Sequence, residues 1–192
     1  MAELILFHHA QGLTDGVRAF ADELRAAGHR VTVPDLYGGA TFGTVDEGVA
    51  HAEALGFDNL IAAGVAAAEE LPEEVVYGGF SLGALPAHKL AQSRPGAVGA
   101  LLYHHGDVPI TTFGESWRPG VDLQLHISRD DEWCELEVVQ EFVDRASAHA
   151  QAELFLYPGS THLFTDSSLP DYDPESAALV LRRTLDFLRE RG

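Results

Sequence analysis

The chain has a single cysteine, a single lysine and no long apolar run. One cysteine, Cys134, excludes an internal disulfide framework and a multi-cysteine zinc site, and it lends secretion no support. No stretch approaches the ~20 apolar residues of a membrane helix, and the opening Met1-Ala-Glu-Leu-Ile-Leu-Phe lacks a basic region followed by a long apolar segment. A cytoplasmic location is the expectation. Basic residues are scarce, 12 against 30 acidic ones, for a formal charge of −18. A field of that sign repels nucleic acid, anionic membranes and anionic substrates, so neither nucleic acid nor a membrane is expected as a partner.

What is present reads as ordinary globular usage: 192 residues, 46% apolar and 22% charged, enough for one hydrophobic core and one domain over 1–192. Six short apolar runs predict strands at Leu4 to His8, Arg30 to Leu36, Glu74 to Ser81, Val98 to His104, Asp122 to Ile127 and Ala152 to Tyr157. Several are apolar at consecutive positions, the pattern of strands covered on both faces. Helical patterns lie between them. Thr14 caps the first, Thr44 and Glu47 stand in capping-box spacing, and an alanine-rich helix runs from near Asp58 to Leu71. Leu82 to Gln92, the stripe Leu136, Val139, Phe142, Val143 and Ala146, and a last helix capped by Asp173 with Pro174 at its first position complete the set. Strands alternating with helices predict a doubly wound α/β sheet. The opening of the longest interval, Gly38 to Gly43, reads as a mobile loop bordering a pocket.

The chemistry-bearing segment is Val75-Val76-Tyr77-Gly78-Gly79-Phe80-Ser81-Leu82-Gly83, a strand running through G-x-S-x-G into a helix. A serine on so sharp a turn needs glycine at both flanking positions, and the turn exposes its hydroxyl at the carboxyl edge of the sheet. Ser81 is the expected nucleophile, with the Leu82 amide facing a developing oxyanion. His162, one loop beyond the last strand, stands where the general base belongs. The acid follows the fifth strand. Asp130 and Asp131 are neighbours there, Asp107 follows the fourth strand, and sequence logic alone does not choose between the adjacent pair.

The runs Phe7-His8-His9-Ala10-Gln11-Gly12-Leu13, Val33-Pro34-Asp35-Leu36-Tyr37-Gly38-Gly39, Gly79-Phe80-Ser81-Leu82-Gly83 and Tyr157-Pro158-Gly159-Ser160-Thr161-His162 resemble the dienelactone hydrolase family across almost the whole chain. The resemblance implies a single-domain α/β-hydrolase with a six-stranded, mostly parallel sheet in the order 2-1-3-4-5-6. In the family register His126-Ile127-Ser128-Arg129-Asp130-Asp131 resembles H-x-G-x-x-D, which favours Asp131 as the acid, with serine where glycine is usual. It also implies a second oxyanion amide after strand one, from Ala10, and a crevice at the switch point between strands one and three. His9, Gln11, Tyr37 and His105 are the expected pocket residues. Departures accompany the likeness. The family's cysteine nucleophile and the glutamate after strand one are replaced by Ser81 and His9. Asp166 lies in the segment that carries the family's carboxylate-binding arginine, so anionic esters are expected to be poor substrates.

The expected activity is cleavage of a small carboxylic ester or lactone through an acyl-enzyme, with no cofactor, in a monomer or homodimer. No metal is expected. His8-His9 and His104-His105 are adjacent strand residues pointing to opposite faces and cannot chelate one ion together. Cys134 is expected to be inert packing. The alternatives are a non-catalytic binding protein of the same fold and a metal-assisted hydrolase built on the strand-end histidines.

Overall fold

The computed structural model describes residues 1–106 and 108–192; Asp107, weighed above as an acid, lies outside them. The elements run β1 (Glu3–Phe7), α1 (Asp15–Ala26), β2 (Arg30–Thr32), α2 (Val45–Leu55), α3 (Phe57–Ala67), β3 (Val75–Phe80), α4 (Ala84–Ser93), β4 (Ala97–Tyr103), β5 (Asp122–Ser128), α5 (Leu136–Ser147), β6 (Ala152–Tyr157) and α6 (Pro174–Arg189). All six strands join one sheet in the order β2-β1-β3-β4-β5-β6. Every pairing is parallel, so the mostly parallel sheet that was expected is parallel throughout.

The helix starts follow the capping chemistry. Thr14 and Thr44 accept from the third amide onward, Val17 and Glu47, and Glu47 reaches back to accept from the Gly43 amide at 3.1 Å. Asp173 accepts from the Glu175 and Ser176 amides ahead of Pro174. Two boundaries differ from the sequence reading. Strand β2 stops at Thr32 instead of Leu36, because Pro34 has no amide for the ladder; the Leu36 amide instead donates to His8 Nε2 at 3.0 Å. The alanine-rich helix ends at Ala67 rather than Leu71.

Both faces of the sheet are covered. Phe7, Tyr77, Leu102 and Leu125 pack on the side of α4 and α5, and Leu4, Leu6, Val76 and Leu101 pack under α1 and α6. A smaller cluster of Ala10, Tyr37, Ala52, Leu60 and Leu82 lies beside the carboxyl ends of β1 and β3. Among the described residues no helix is long and apolar enough to cross a membrane.

Candidate active site

Strand β3 is buried along its whole length and ends in a reversal that places Ser81 at φ +50°, a left-handed conformation costly for a side-chain-bearing residue. The turn closes because its flanks are glycine. A Cβ on Gly79 would lie 2.1 Å from the Gly83 carbonyl oxygen, and one on Gly83 would lie 2.5 Å from the carbonyl oxygens of Phe7 and His8. The chain continues through a short turn, Ser81–Gly83, into α4.

Ser81 Oγ is 2.8 Å from His162 Nε2, and His162 Nδ1 is 2.7 Å from Asp131 Oδ2. An ionised carboxylate only accepts, so Nδ1 carries the proton toward Asp131 and Nε2 is left to accept from the serine hydroxyl. The other carboxylate oxygen accepts from the Trp133 amide at 3.0 Å. Asp130 points to solvent, and its amide donates to the Gly159 carbonyl. Of the two neighbours, Asp131 therefore meets the histidine. Ser128 donates to the Thr161 carbonyl at 2.7 Å, so the serine standing where glycine is usual ties the end of β5 to the His162 loop.

Ser81 and His162 border a cavity of about 260 Å³, with Asp131 buried behind the imidazole. Ala10 and Leu82 line it beside Ser81; Val45, Val49, Phe57, Leu85, Val108 and Trp133 form its apolar wall. Phe57 and Trp133 remain more than a third exposed at the surface. His105 lines the cavity as expected. Burial pushes its pKa down to about 4, so the ring is neutral at pH 7.

Three other pocket expectations are corrected. His9 is not among the cavity's lining: its Nε2 donates to Asp166 at 2.7 Å while its Nδ1 accepts from the Gln11 amide. Gln11 instead exchanges hydrogen bonds with Phe42, its amide side chain donating to the Phe42 carbonyl at 3.0 Å. Tyr37 is buried with its ring against His8 and His51, and burial lifts its hydroxyl to about 12. The same contacts pin the segment read as a mobile loop, since Gly12 bridges to Thr41. The loop does not line the cavity. The helix behind it does, because Val45 and Val49 belong to α2. Its Gly48 lets α2 press against Ala10, whose carbonyl oxygen would be 2.1 Å from a Cβ there.

Asp166 also lies outside the cavity. It accepts from His9, from the Thr14 hydroxyl and from the amide and hydroxyl of Ser168. Burial pushes its carboxyl up, but these hydrogen bonds outweigh burial and hold it at about 2. Asp166 therefore does not stand at the cavity wall in place of the family's arginine.

His104 was missed as a site residue. It follows β4 at φ +55°, lines the cavity, packs its ring 5.7 Å from that of His162, and hydrogen-bonds Thr165 Oγ1 at 2.9 Å. Burial drives its pKa well below the ordinary histidine value. The histidine doublet was the available signal, but strand alternation hid it: the positive φ at His104 breaks the alternation, so it and His105 both line the cavity.

The family model described as the dienelactone hydrolase family matches residues 2–192. The chain belongs to that family. It is therefore a hydrolase of the α/β-hydrolase fold, as its sheet order also indicates. No curated protein matches it in sequence. Solved structures share the fold at low identity. One is a dienelactone hydrolase-like promiscuous phosphotriesterase from metagenomic libraries, with TM-score 0.74 and 16% identity over 100% of this chain and 87% of that one. Another is Thermogutta terrifontis esterase 2 phosphorylated by paraoxon, at 0.71 and 15% over 100% and 83%. A third is an esterase of Pyrococcus furiosus, at 0.71 and 17% over 99% and 83%.

Proposed function

We propose that the chain is a serine hydrolase that cleaves a small carboxylic ester or lactone through an acyl-enzyme on Ser81. The observation that carries this reading is the 2.8 Å hydrogen bond from Ser81 to an imidazole oriented by a buried carboxylate, at the wall of a mostly apolar cavity. His162 takes the hydroxyl proton as Oγ attacks the acyl carbon. Asp131 holds the Nδ1–H tautomer and stabilises the imidazolium. The Ala10 and Leu82 amides bind the oxyanion. Collapse expels the alcohol, which leaves with the proton from Nε2, and water activated by the same histidine then releases the acid.

The substrate is a neutral ester. Among the described residues no lysine or arginine lines the cavity, its histidines His104 and His105 are held neutral by burial, and the chain's charge of −18 repels anions at long range. The chemistry needs no cofactor, and the protein works in the cytoplasm as a monomer or homodimer.

Labelling with a fluorophosphonate and mapping the adduct by mass spectrometry tests the assignment. An adduct on Ser81 that Ser81→Ala abolishes is the expected result. A protein that hydrolyses aryl esters yet is labelled elsewhere, or not at all, overturns it. Phosphorylation of Ser81 by paraoxon is expected on the same grounds.

A further inference from the structure

Behind the imidazole, Asp131 and His162 meet a third group, Cys134, that acyl transfer does not use. Cys134 follows Asp131 by three residues, in a turn closed by the Cys134 amide donating to the Asp131 carbonyl at 3.1 Å. Asp131, Cys134 and His162 each offer a ligand atom, all three residues are buried, and the atoms lie within 4.8 Å of one another. Two ligands separated by two residues on one tight turn, with a third from a facing loop, is the arrangement by which proteins assemble tetrahedral zinc sites. In such a site neighbouring ligand atoms are roughly 3.3–3.7 Å apart. The Asp131 to His162 contact at 2.7 Å has only to open slightly, and the thiol to close by no more than about 1 Å. The sulfur lies one layer behind the cavity: Gly106 lines the cavity and packs directly against Cys134, whose Sγ would be 2.7 Å from a Cβ there.

We propose that Asp131, Cys134 and His162 bind a zinc-like divalent cation, and that its occupation switches the Ser81 site off. The inhibitory half rests on the function proposed above; the binding half does not. The cation takes the place of the proton between Asp131 and His162. Cys134 loses its thiol proton to solvent, Asp131 binds as its carboxylate, and the imidazole exchanges its Nδ1 proton for one on Nε2. One proton leaves per cation bound, and two negative ligands balance the double charge. Nε2 then donates toward Ser81 instead of accepting from it, so the serine keeps its proton and cannot attack. A thiolate and an imidazole select zinc, cobalt or cadmium over magnesium or calcium, which prefer oxygen. The site differs from a metal centre on the strand-end histidines, and it inhibits instead of assisting.

Because the chain has one cysteine, any thiolate-to-cobalt charge-transfer absorption reports Cys134 alone. Titrating the tag-free protein with cobalt chloride is expected to produce that near-ultraviolet band in the wild type and in Ser81→Ala, and not in Cys134→Ala or Cys134→Ser. Zinc chloride is expected to inhibit aryl-ester hydrolysis reversibly, with a chelator restoring it. The half-inhibiting zinc concentration should rise at least ~100-fold in either Cys134 variant, beyond the 10–100-fold that loss of an outer partner costs. Magnesium should not inhibit. Absence of the cobalt band in the wild type, or equal zinc sensitivity in a folded Cys134 variant, overturns the proposal. A Cys134-dependent band in a chain that hydrolyses no ester supports the metal site and instead overturns the hydrolase reading.

Discussion

Asp131 with His162 and Asp166 with His9 are the same chemical pair built twice. Each is buried and joined by a 2.7 Å hydrogen bond, and each aspartate accepts further donors. They differ in what the second imidazole nitrogen meets. In His162 it faces a serine hydroxyl at the cavity wall; in His9 it accepts the Gln11 amide in the packed interior. A peptide amide gives up no proton, so the second pair has nothing to activate. The imidazole shapes the residues on either side of Ala10, while Asp166 ties that loop to Thr14 at the head of α1 and to the segment just past His162. A buried Asp–His pair is thus no mark of catalysis by itself. A proton to move and room for a substrate make the difference.

The comparison breaks most sharply at Ser81, the proposed nucleophile. Ser81→Ala is expected to lower kcat by up to about 10⁶-fold with unchanged thermal unfolding. A folded variant that keeps a tenth of wild-type turnover on a short aryl ester would remove the distinction between the pairs. Asp131→Asn should follow, with a loss of about 10⁴-fold through the wrong tautomer. Steady-state kinetics should show the loss in kcat more than in KM.

Asp166→Asn should act on stability instead, costing about 1.5–3 kcal/mol for weakened charge-assisted bonds and lowering kcat less than tenfold. Its pH signature is specific. The folded pKa of about 2 lies below the ordinary 3.8, so its contribution is present above about pH 4 and is lost as pH falls toward 2. His8 and His105, depressed from 6.5 to about 4 by burial, erode stability earlier, between about pH 6.5 and 4, because the unfolded chain takes up their protons first. His126, depressed to about 3, extends that loss, so denaturant unfolding against pH should fall continuously from about pH 6.5 in the wild type, and the Asp166→Asn profile should be shallower mainly below about pH 4. An Asp166→Asn variant that is stable but as inactive as Asp131→Asn would assign the second pair to catalysis.

A smaller effect tests whether Asp166 reaches the substrate. The kcat/KM preference for a neutral ester over its carboxylate-bearing analogue should shrink as salt shortens the Debye length from about 30 Å at 0.01 M to about 8 Å at 0.15 M. It should be nearly the same in Asp166→Asn, since that carboxylate lies outside the cavity. Relief of anion rejection in the variant would place Asp166 at the substrate after all. The smallest change is expected from Asp130→Asn, within about twofold in kcat, because an exposed carboxylate acts only through screened charge. A larger loss there than at Asp131 would reverse the choice between the neighbours.

The sequence by itself determined whatever depends on neighbours along the chain. Alternation of apolar runs and capped amphipathic stretches specified the six strands and their helices, and Gly79 and Gly83 marked the one turn that forces a serine to φ +50°. It failed where the answer depended on how separate loops meet. Asp130 and Asp131 share composition and position, and only the path of the loop after β5 turns the second toward His162. His9 and Asp166 are 157 residues apart, so their pairing left no local pattern, and two departures from the family looked unrelated until the fold joined them. Gln11 and Tyr37 were misplaced for the same reason: their motif says they follow strand ends, while the tertiary contacts with Phe42, His8 and His51 decide which way they turn. Local sequence sets backbone dihedrals and burial periodicity, which are short-range. The direction of a side chain at a strand end is set by whatever packs over it, and that is known only once the whole sheet is assembled.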